Sequence, residues 1–401
     1  MAKLALFGNA PVRKVPFPQW PQWTEQEERN ILDVLRSGQW FRYLGDKVKQ
    51  FEEKFAAYHD AMYGLAVTSG TAALEASLSA LGVGPGDEVL VPSYTFVASA
   101  TSIITNGATP VFVDIDLKTA NIDLASAAAA ITERTKAMMI VHFGGCPCDM
   151  DQVLQFAKSH NLKVIEDAAH AHGGKWDGKG LGSFGDIAGF SFQNSKNITA
   201  GEGGIVLTSS EELMNHVFSY HSYGQRRDYP WYSHHVVSRN LRMTEWQGAI
   251  LLAQLERMPE QTELRLKNAR KLDAALREMG VFTVMGSDDP RAAQRAYHLY
   301  QFRYAPGIAG VSRERFLEAL RAEGIPCSAG YPVPLHKQPL FAGVKPPAGL
   351  QSYQDLELPN TATLCDENIW LVQSLLLGAD ADTQDIIDAI AKIVENADEL
   401  R

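Results

Sequence analysis

Four short segments carry residue types that chemistry can use, and each follows an apolar run. Thr68-Ser69-Gly70-Thr71 puts hydroxyls and a glycine just ahead of a helical stretch. Open backbone N–H groups and the positive end of a helix dipole would hold a phosphate there. The same residues would also serve as a plain helix cap. In Pro92-Ser93-Tyr94-Thr95-Phe96, Tyr94 or Phe96 offers a face on which a planar ring could stack, or else both are core aromatics. Val164-Ile165-Glu166-Asp167 ends an apolar run on two carboxylates, which is costly unless they have partners. A ring nitrogen would be such a partner, since a buried Asp that keeps a pyridinium protonated makes pyridoxal phosphate an electron sink. Helix capping by Asp167 is the competing use. Lys196 lies just past a further apolar run that ends near Ser191, ahead of a Gly-rich turn at 201–204. A lysine in that place is either a solvated charge or, if desolvated, an amine of lowered pKa able to form a Schiff base.

These segments need a scaffold that gathers run ends along one edge. The runs Leu65–Thr68, Val89–Pro92, Val111–Val113, Ala137–Val141, Val164–Ile165, Ile187–Phe192 and Ile205–Thr208 alternate with helical stretches. That pattern predicts an α/β fold with a mostly parallel sheet covered by helices on both faces. Ligands in such sheets sit beyond the carboxyl ends of the strands. Upstream, Thr24 and Glu27 predict a capping box and Gly38 a helix stop. After Asn240 the pattern predicts one helix over Met243–Leu255 and another through Ala269, Leu272, Leu276 and Met279. An alternating strand over Tyr297–Tyr304, a Pro- and Gly-rich loop over Leu335–Leu350 and a last helix through Ile386, Ile390 and Ile393 follow. The expected division is residues 1–255, an N-terminal arm with a large cofactor-binding α/β domain, and residues 256–401, a small α+β domain.

Composition narrows the function. The chain has 401 residues, 45% of them hydrophobic, and a formal net charge of −10. It lacks the basic footprint that sequence-independent nucleic-acid binding needs. No apolar run reaches the roughly 20 residues of a membrane span, and the first residues lack the apolar length of a signal peptide, so a cytoplasmic enzyme is expected. Four cysteines, with Cys146 and Cys148 in a lone C-x-C, suggest neither a disulfide framework nor a zinc site. His170 and His172 have no third ligand nearby, so no metal is expected. Dinucleotide, Walker A and H-E-x-x-H motifs are missing.

Lys196 in S-F-Q-N-S-K-N-I-T-A-G-E-G-G, Asp167 in V-I-E-D-A-A-H-A and the segment T-S-G-T-A-A-L-E resemble the DegT/DnrJ/StrS aminotransferases. These are fold-type I, pyridoxal-phosphate enzymes that aminate keto sugars and keto cyclitols. The resemblance runs from Phe7–Arg13 through Gly84–Val89 and Asn240–Glu245 to Pro334-Leu335-His336. It implies that Lys196 is the Schiff-base lysine and Asp167 the partner of the ring nitrogen. It further implies that His170 lies near the ring hydroxyl, that Gly70, Thr71 and Ser191 contact the phosphate, and that Phe96 stacks on the ring. Asn240, or Arg242 beside it, would reach the phosphate of the neighbouring subunit in a homodimer with shared active sites. Tyr331 and His336 would line the substrate pocket. Gln193 in place of a frequent His, and Cys365-Asp366-Glu367 with Trp370-Leu371 in place of an S-L-P segment, lean toward the branch acting on keto-inososes and related cyclic ketones over the one acting on nucleotide-linked sugars, both of which the resemblance allows. The expected reaction moves an amino group from L-glutamate or L-glutamine to a keto sugar or keto cyclitol in ping-pong order. A dehydratase using pyridoxamine phosphate, or a non-catalytic regulatory protein on the same fold, are the alternatives. Lys196 argues against the first, and Lys196 with Asp167 against the second.

Overall fold

Helix α1 (Glu25–Ser37) opens where Thr24 and Glu27 close a reciprocal capping box, the Thr24 N–H donating to Glu27 Oε2 at 3.0 Å. It stops at Gly38, whose φ of 68° lies in the left-handed region. The structure is a computed structural model that describes residues 3–230, 232–304 and 310–401. Helix α2 (Lys47–Tyr58) turns Val48, Phe51 and Phe55 inward. Strands and helices then alternate: β1 (Tyr63–Val67), α3 (Gly70–Ala80), β2 (Glu88–Pro92), α4 (Val97–Thr105), β3 (Thr109–Val113), α5 (Leu124–Ala130), β4 (Thr135–Val141), α6 (Met150–Ser159) and β5 (Lys163–Asp167). A short ribbon of β6 (Lys175–Trp176) and β7 (Lys179–Gly180) precedes β8 (Ile187–Ser191), β9 (Gly204–Thr208) and α7 (Glu211–His221).

Seven strands form one sheet in the order β1-β9-β8-β5-β4-β2-β3. Pairing is parallel from β3 through β8, and β9 runs antiparallel to both β8 and β1. The apolar runs are continuous because both faces are covered. Ala66, Leu90 and Val164 enter one cluster with Phe51, Phe55 and Leu251. Their neighbours Val67, Val91 and Ile165 enter the other, with Leu74, Leu78 and Ile103. Val67 pairs with Gly204, which pairs with Ser191, and Asp167 lies opposite Gly189, so the chemistry-bearing loops leave the same sheet edge.

Beyond the sheet, the two helices expected after Asn240 are one, α8 (Glu245–Met279), 35 residues long. Pro259 sits inside it and cannot donate to the carbonyl four residues back. Burial at both ends offsets that loss. Leu251, Leu255 and Met258 pack under the sheet, while Leu266, Ala269, Leu272 and Leu276 pack in a second cluster. The expected boundary at residue 255 therefore falls within a continuous helix. The second cluster is built on the antiparallel sheet of β10 (Thr283–Val284), β11 (Leu299–Arg303) and β12 (Asn368–Val372). Helices α9 (Arg313–Ala322), α10 (Pro359–Glu367) and α11 (Asp380–Glu395) complete this part of the chain. The N-terminal arm, grouped by sequence with residues up to 255, docks here instead. Leu4 is buried in this cluster and Arg13 pairs with Asp382 and Asp385, each at 2.7 Å. Among the described residues no helix is long and apolar enough to cross a membrane.

Candidate active site

The two carboxylates that end β5 face different surroundings, as the alternation of a strand requires. Glu166 is fully buried on the far side. It accepts from the backbone N–H groups of Gly182, Phe184 and Gly185 at 2.6–2.8 Å and pairs with His142 Nε2 at 2.9 Å. Burial alone would raise its pKa, but His142 and these N–H groups outweigh it and hold the carboxyl below its usual range. Asp167 has a thinner set: Ser99 Oγ donates to Oδ2 at 2.7 Å and the Ala169 N–H to Oδ1 at 3.2 Å. Here burial wins and the carboxyl is pushed up. Lys196 stands in the loop after β8. Desolvation brings its amine down to about 8, against the pull of the nearby Asp167 carboxylate.

Next to this pair is a close approach that only glycine permits. A Cβ on Gly70 would lie 2.7 Å from the Ser191 Cβ, and one on Gly204 only 2.3 Å from the Ser69 carbonyl oxygen. Ser69 caps α3, its hydroxyl accepting from the Ala72 N–H at 3.1 Å. The cap leaves the turn free for an anion as well: Gly70 and Thr71 have first-turn N–H groups that a helix leaves without intrahelical partners. Phe96 precedes α4 and is 57% exposed, whereas Tyr94 is buried, so only Phe96 has a face to offer. His170 is buried beside Lys196, and burial drives its imidazole well below its ordinary pKa, keeping it neutral. The Gly144 N–H donates to its Nδ1 at 3.3 Å.

Tyr331 joins Phe96, Ser93, Thr95, Val333 and Leu335 around a cavity of about 330 Å³ and packs edge-on against Tyr94 and Trp370. His336 does not line it, contrary to expectation. Its ring is fully buried, with Nδ1 taking the Ser93 hydroxyl at 2.6 Å and Nε2 donating to the Leu356 carbonyl at 3.0 Å. Both nitrogens are used in holding the 335–356 segment against the sheet. Asn240 is exposed and bridged to Ser222. Arg242 is drawn back over Tyr223, 4.2 Å from the ring centroid, and bonds the Ser222 hydroxyl at 3.4 Å.

Sequence reasoning missed His298, whose ring packs tilted against His170 with centroids 4.2 Å apart and whose Nδ1 meets Asn197 Oδ1 at 3.3 Å. No local pattern marks it, because it arrives from the second part of the chain. Ser99 was missed as well, although its place three residues after Phe96 on one helical turn was a usable signal.

A desolvated amine suits attachment of an aldehyde, a buried carboxylate suits a ring nitrogen, and the Gly70–Ser191 cradle suits a phosphate. The residues present thus fit pyridoxal phosphate, and the fold and site define a pyridoxal-phosphate-dependent aminotransferase. The chain belongs to the DegT/DnrJ/EryC1/StrS aminotransferase family, whose model matches residues 21–391. It is 39% identical, over 100% of both chains, to a protein of Streptoalloteichus tenebrarius assigned as an L-glutamine:3-amino-2,3-dideoxy-scyllo-inosose aminotransferase. The crystal structure of 3-amino-5-hydroxybenzoic acid synthase superposes with a TM-score of 0.88 at 36% identity, over 96% of this chain and 100% of that one. The crystal structure of NtdA from Bacillus subtilis, with its cofactor PMP bound, gives a TM-score of 0.81 at 26% identity, over 96% of this chain and 86% of that one.

Proposed function

We propose that the chain transfers the amino group of L-glutamine to the ketone of a cyclitol of the inosose type, with Lys196 and Asp167 as its working residues. The observation that carries this reading is that a desolvated Lys196 amine and the buried Asp167 carboxylate lie within each other's electrostatic reach at one sheet edge. The named activity of the Streptoalloteichus relative supports the donor and the substrate class.

Pyridoxal phosphate supplies, when bound, an electron sink for the carbon that carries the amino group. Lys196 Nζ would be the attachment point for the cofactor's aldehyde and, once displaced, the base that moves the proton of the donor carbon, a role that its desolvated amine, brought down to about 8, suits. Asp167 would hold the ring nitrogen protonated, and Phe96 would cover the ring face. Neutral His170 would stand at the ring hydroxyl. Gly70, Thr71 and Ser191 would hold the phosphate through N–H and hydroxyl groups. Tyr331 would orient the ring of the substrate in the cavity beside Phe96.

Asn240 serves the site of a second copy, so the working unit is a homodimer. Its exposure supports this, as does the aromatic patch around it: Trp40, Phe41, Tyr43 and Tyr223 are each 44–51% exposed. The enzyme works in the cytoplasm, a placement supported by four unpaired cysteines.

Purified protein loaded with pyridoxal phosphate is expected to lose the visible absorption of the Lys196-linked cofactor on adding L-glutamine, releasing the matching 2-keto acid. Adding an inosose should restore that absorption and yield the aminocyclitol. An absorption band that neither glutamine nor glutamate alters would overturn the reading.

A further inference from the structure

The first turn of α4 carries more than Phe96. Thr95 Oγ1 lies 2.9 Å from Ser99 Oγ, and Ser99 Oγ lies 2.7 Å from Asp167 Oδ2, with each of the three residues at most 5% exposed. A serine has one hydroxyl proton, and this one goes to the carboxylate. Thr95 must therefore donate to Ser99, and the chain runs in one direction from Thr95 to Ser99 to Asp167. The Ser99 N–H bonds the Phe96 carbonyl at 3.2 Å, so the hydroxyl chain and the aromatic face belong to the same turn. Among the described residues Oδ1 takes the Ala169 N–H alone, so the carboxylate keeps open lone pairs for one further donor.

We propose that Ser99, backed by Thr95, is a positioning residue that keeps Asp167 ionised and aimed at the cofactor's ring nitrogen. The inference rests on the functional reading above, in which Asp167 meets that nitrogen. A buried carboxylate stripped of donors drifts toward its neutral acid. A neutral acid would leave the ring nitrogen without its proton and weaken the electron sink. Burial already pushes Asp167 up, and Ser99 is the strongest influence holding it down, ahead of the Ala169 N–H, Lys196 and His142. The titratable groups facing Asp167 are Lys196 from the loop after β8, His142 after β4 and Tyr331 from the chain beyond α9. Among the described residues none of their side chains hydrogen-bonds the carboxylate. The chain of hydroxyls polarises along its length, which strengthens the last bond.

The test uses holoenzyme carrying pyridoxal phosphate labelled with ¹⁵N in the ring, as wild type and as S99A, S99T and T95V. In S99A the ring signal near neutral pH should move toward that of an unprotonated ring. The kcat should fall on the order of tenfold or more, the weight of one hydrogen bond to a charged group. The KM for glutamine should stay close to wild type. Threonine keeps the hydroxyl, so S99T should restore both signal and rate, and T95V should show a smaller shift in the same direction. A wild-type ring signal in S99A overturns the proposal, as does equal loss in S99A and S99T. Should S99A fail to fold, T95V carries the test, and an unchanged signal there overturns it. A wild type with an unprotonated ring, or with no cofactor on Lys196, fails the functional reading itself and takes this inference with it.

Discussion

At the scale of single residues, Lys196 balances burial, which removes its charge, against Asp167, which restores it. Burial wins, and the sign of the consequence follows. Below about 8 the amine of the cofactor-free protein is mostly protonated and cannot attack a carbonyl; above it, the neutral form dominates. The rate at which apo-protein captures pyridoxal phosphate should therefore rise with pH to a plateau, with a midpoint near 8, in a stopped-flow absorbance measurement. K196A should show no capture phase at any pH. A midpoint near the ordinary lysine value would mean that the amine is solvated. The type and setting of this lysine were legible in the sequence, since it follows a buried run and precedes a glycine turn. Its desolvation was not, because that depends on packing against Asp167 and His170 at the end of β5, a segment distant in the chain.

At the scale of elements, β5 separates structural from chemical work by simple alternation. Glu166 and Asp167 are adjacent, yet one secures the 182–185 turn and the other meets Ser99. Glu166→Ala would leave three buried N–H groups and His142 without their acceptor, and should cost about 3–5 kcal/mol in denaturant unfolding. Because the Glu166 carboxyl is held low, its contribution is complete above its unfolded pKa and fades as pH falls through the lower folded value. Asp167 works in the opposite sense. Its raised carboxyl opposes folding at neutral pH, and that cost is relieved as pH falls through the folded value. Asp167→Asn should thus lower turnover by orders of magnitude while leaving the unfolding midpoint near wild type or slightly higher. A large loss of stability in that variant would make Asp167 a structural residue. The sequence named this pair, and strand periodicity implied opposite faces. Which face held the site could only be seen once β8 and α4 were in place.

At the scale of the whole molecule, the exposed Asn240 and the aromatic patch beside it set the strongest test of assembly. If each site draws Lys196 from one chain and Asn240 from another, two inactive variants should complement. Mixing K196A with a variant disabled at Asn240, then allowing subunits to exchange, should recover roughly a quarter of wild-type activity, since half the dimers carry one intact site of two. Sites built within one chain would recover nothing. The long helix α8 packs in both clusters, so the two parts of the chain are joined by one continuous helix rather than a linker.

Local rules determined much of this protein from its sequence. The Thr24–Glu27 box, the seven buried strands and the loops after β1, β2, β5 and β8 are set by capping, by apolar runs that must be covered, and by glycines where backbones meet. Chemistry-bearing residues in those loops could be named because an α/β sheet gathers its strand ends along one edge. Contacts between distant segments were decided only by the tertiary structure. The stretch from Met243 to Met279 reads as two helices until burial at both ends keeps α8 whole across Pro259. His336 reads as a pocket residue until Ser93 and Leu356 take both its nitrogens. Ser99 is marked only by its place one helical turn past Phe96, and His298 not at all, because a hydrogen bond or a ring contact depends on where packing brings two elements, and no local periodicity records that.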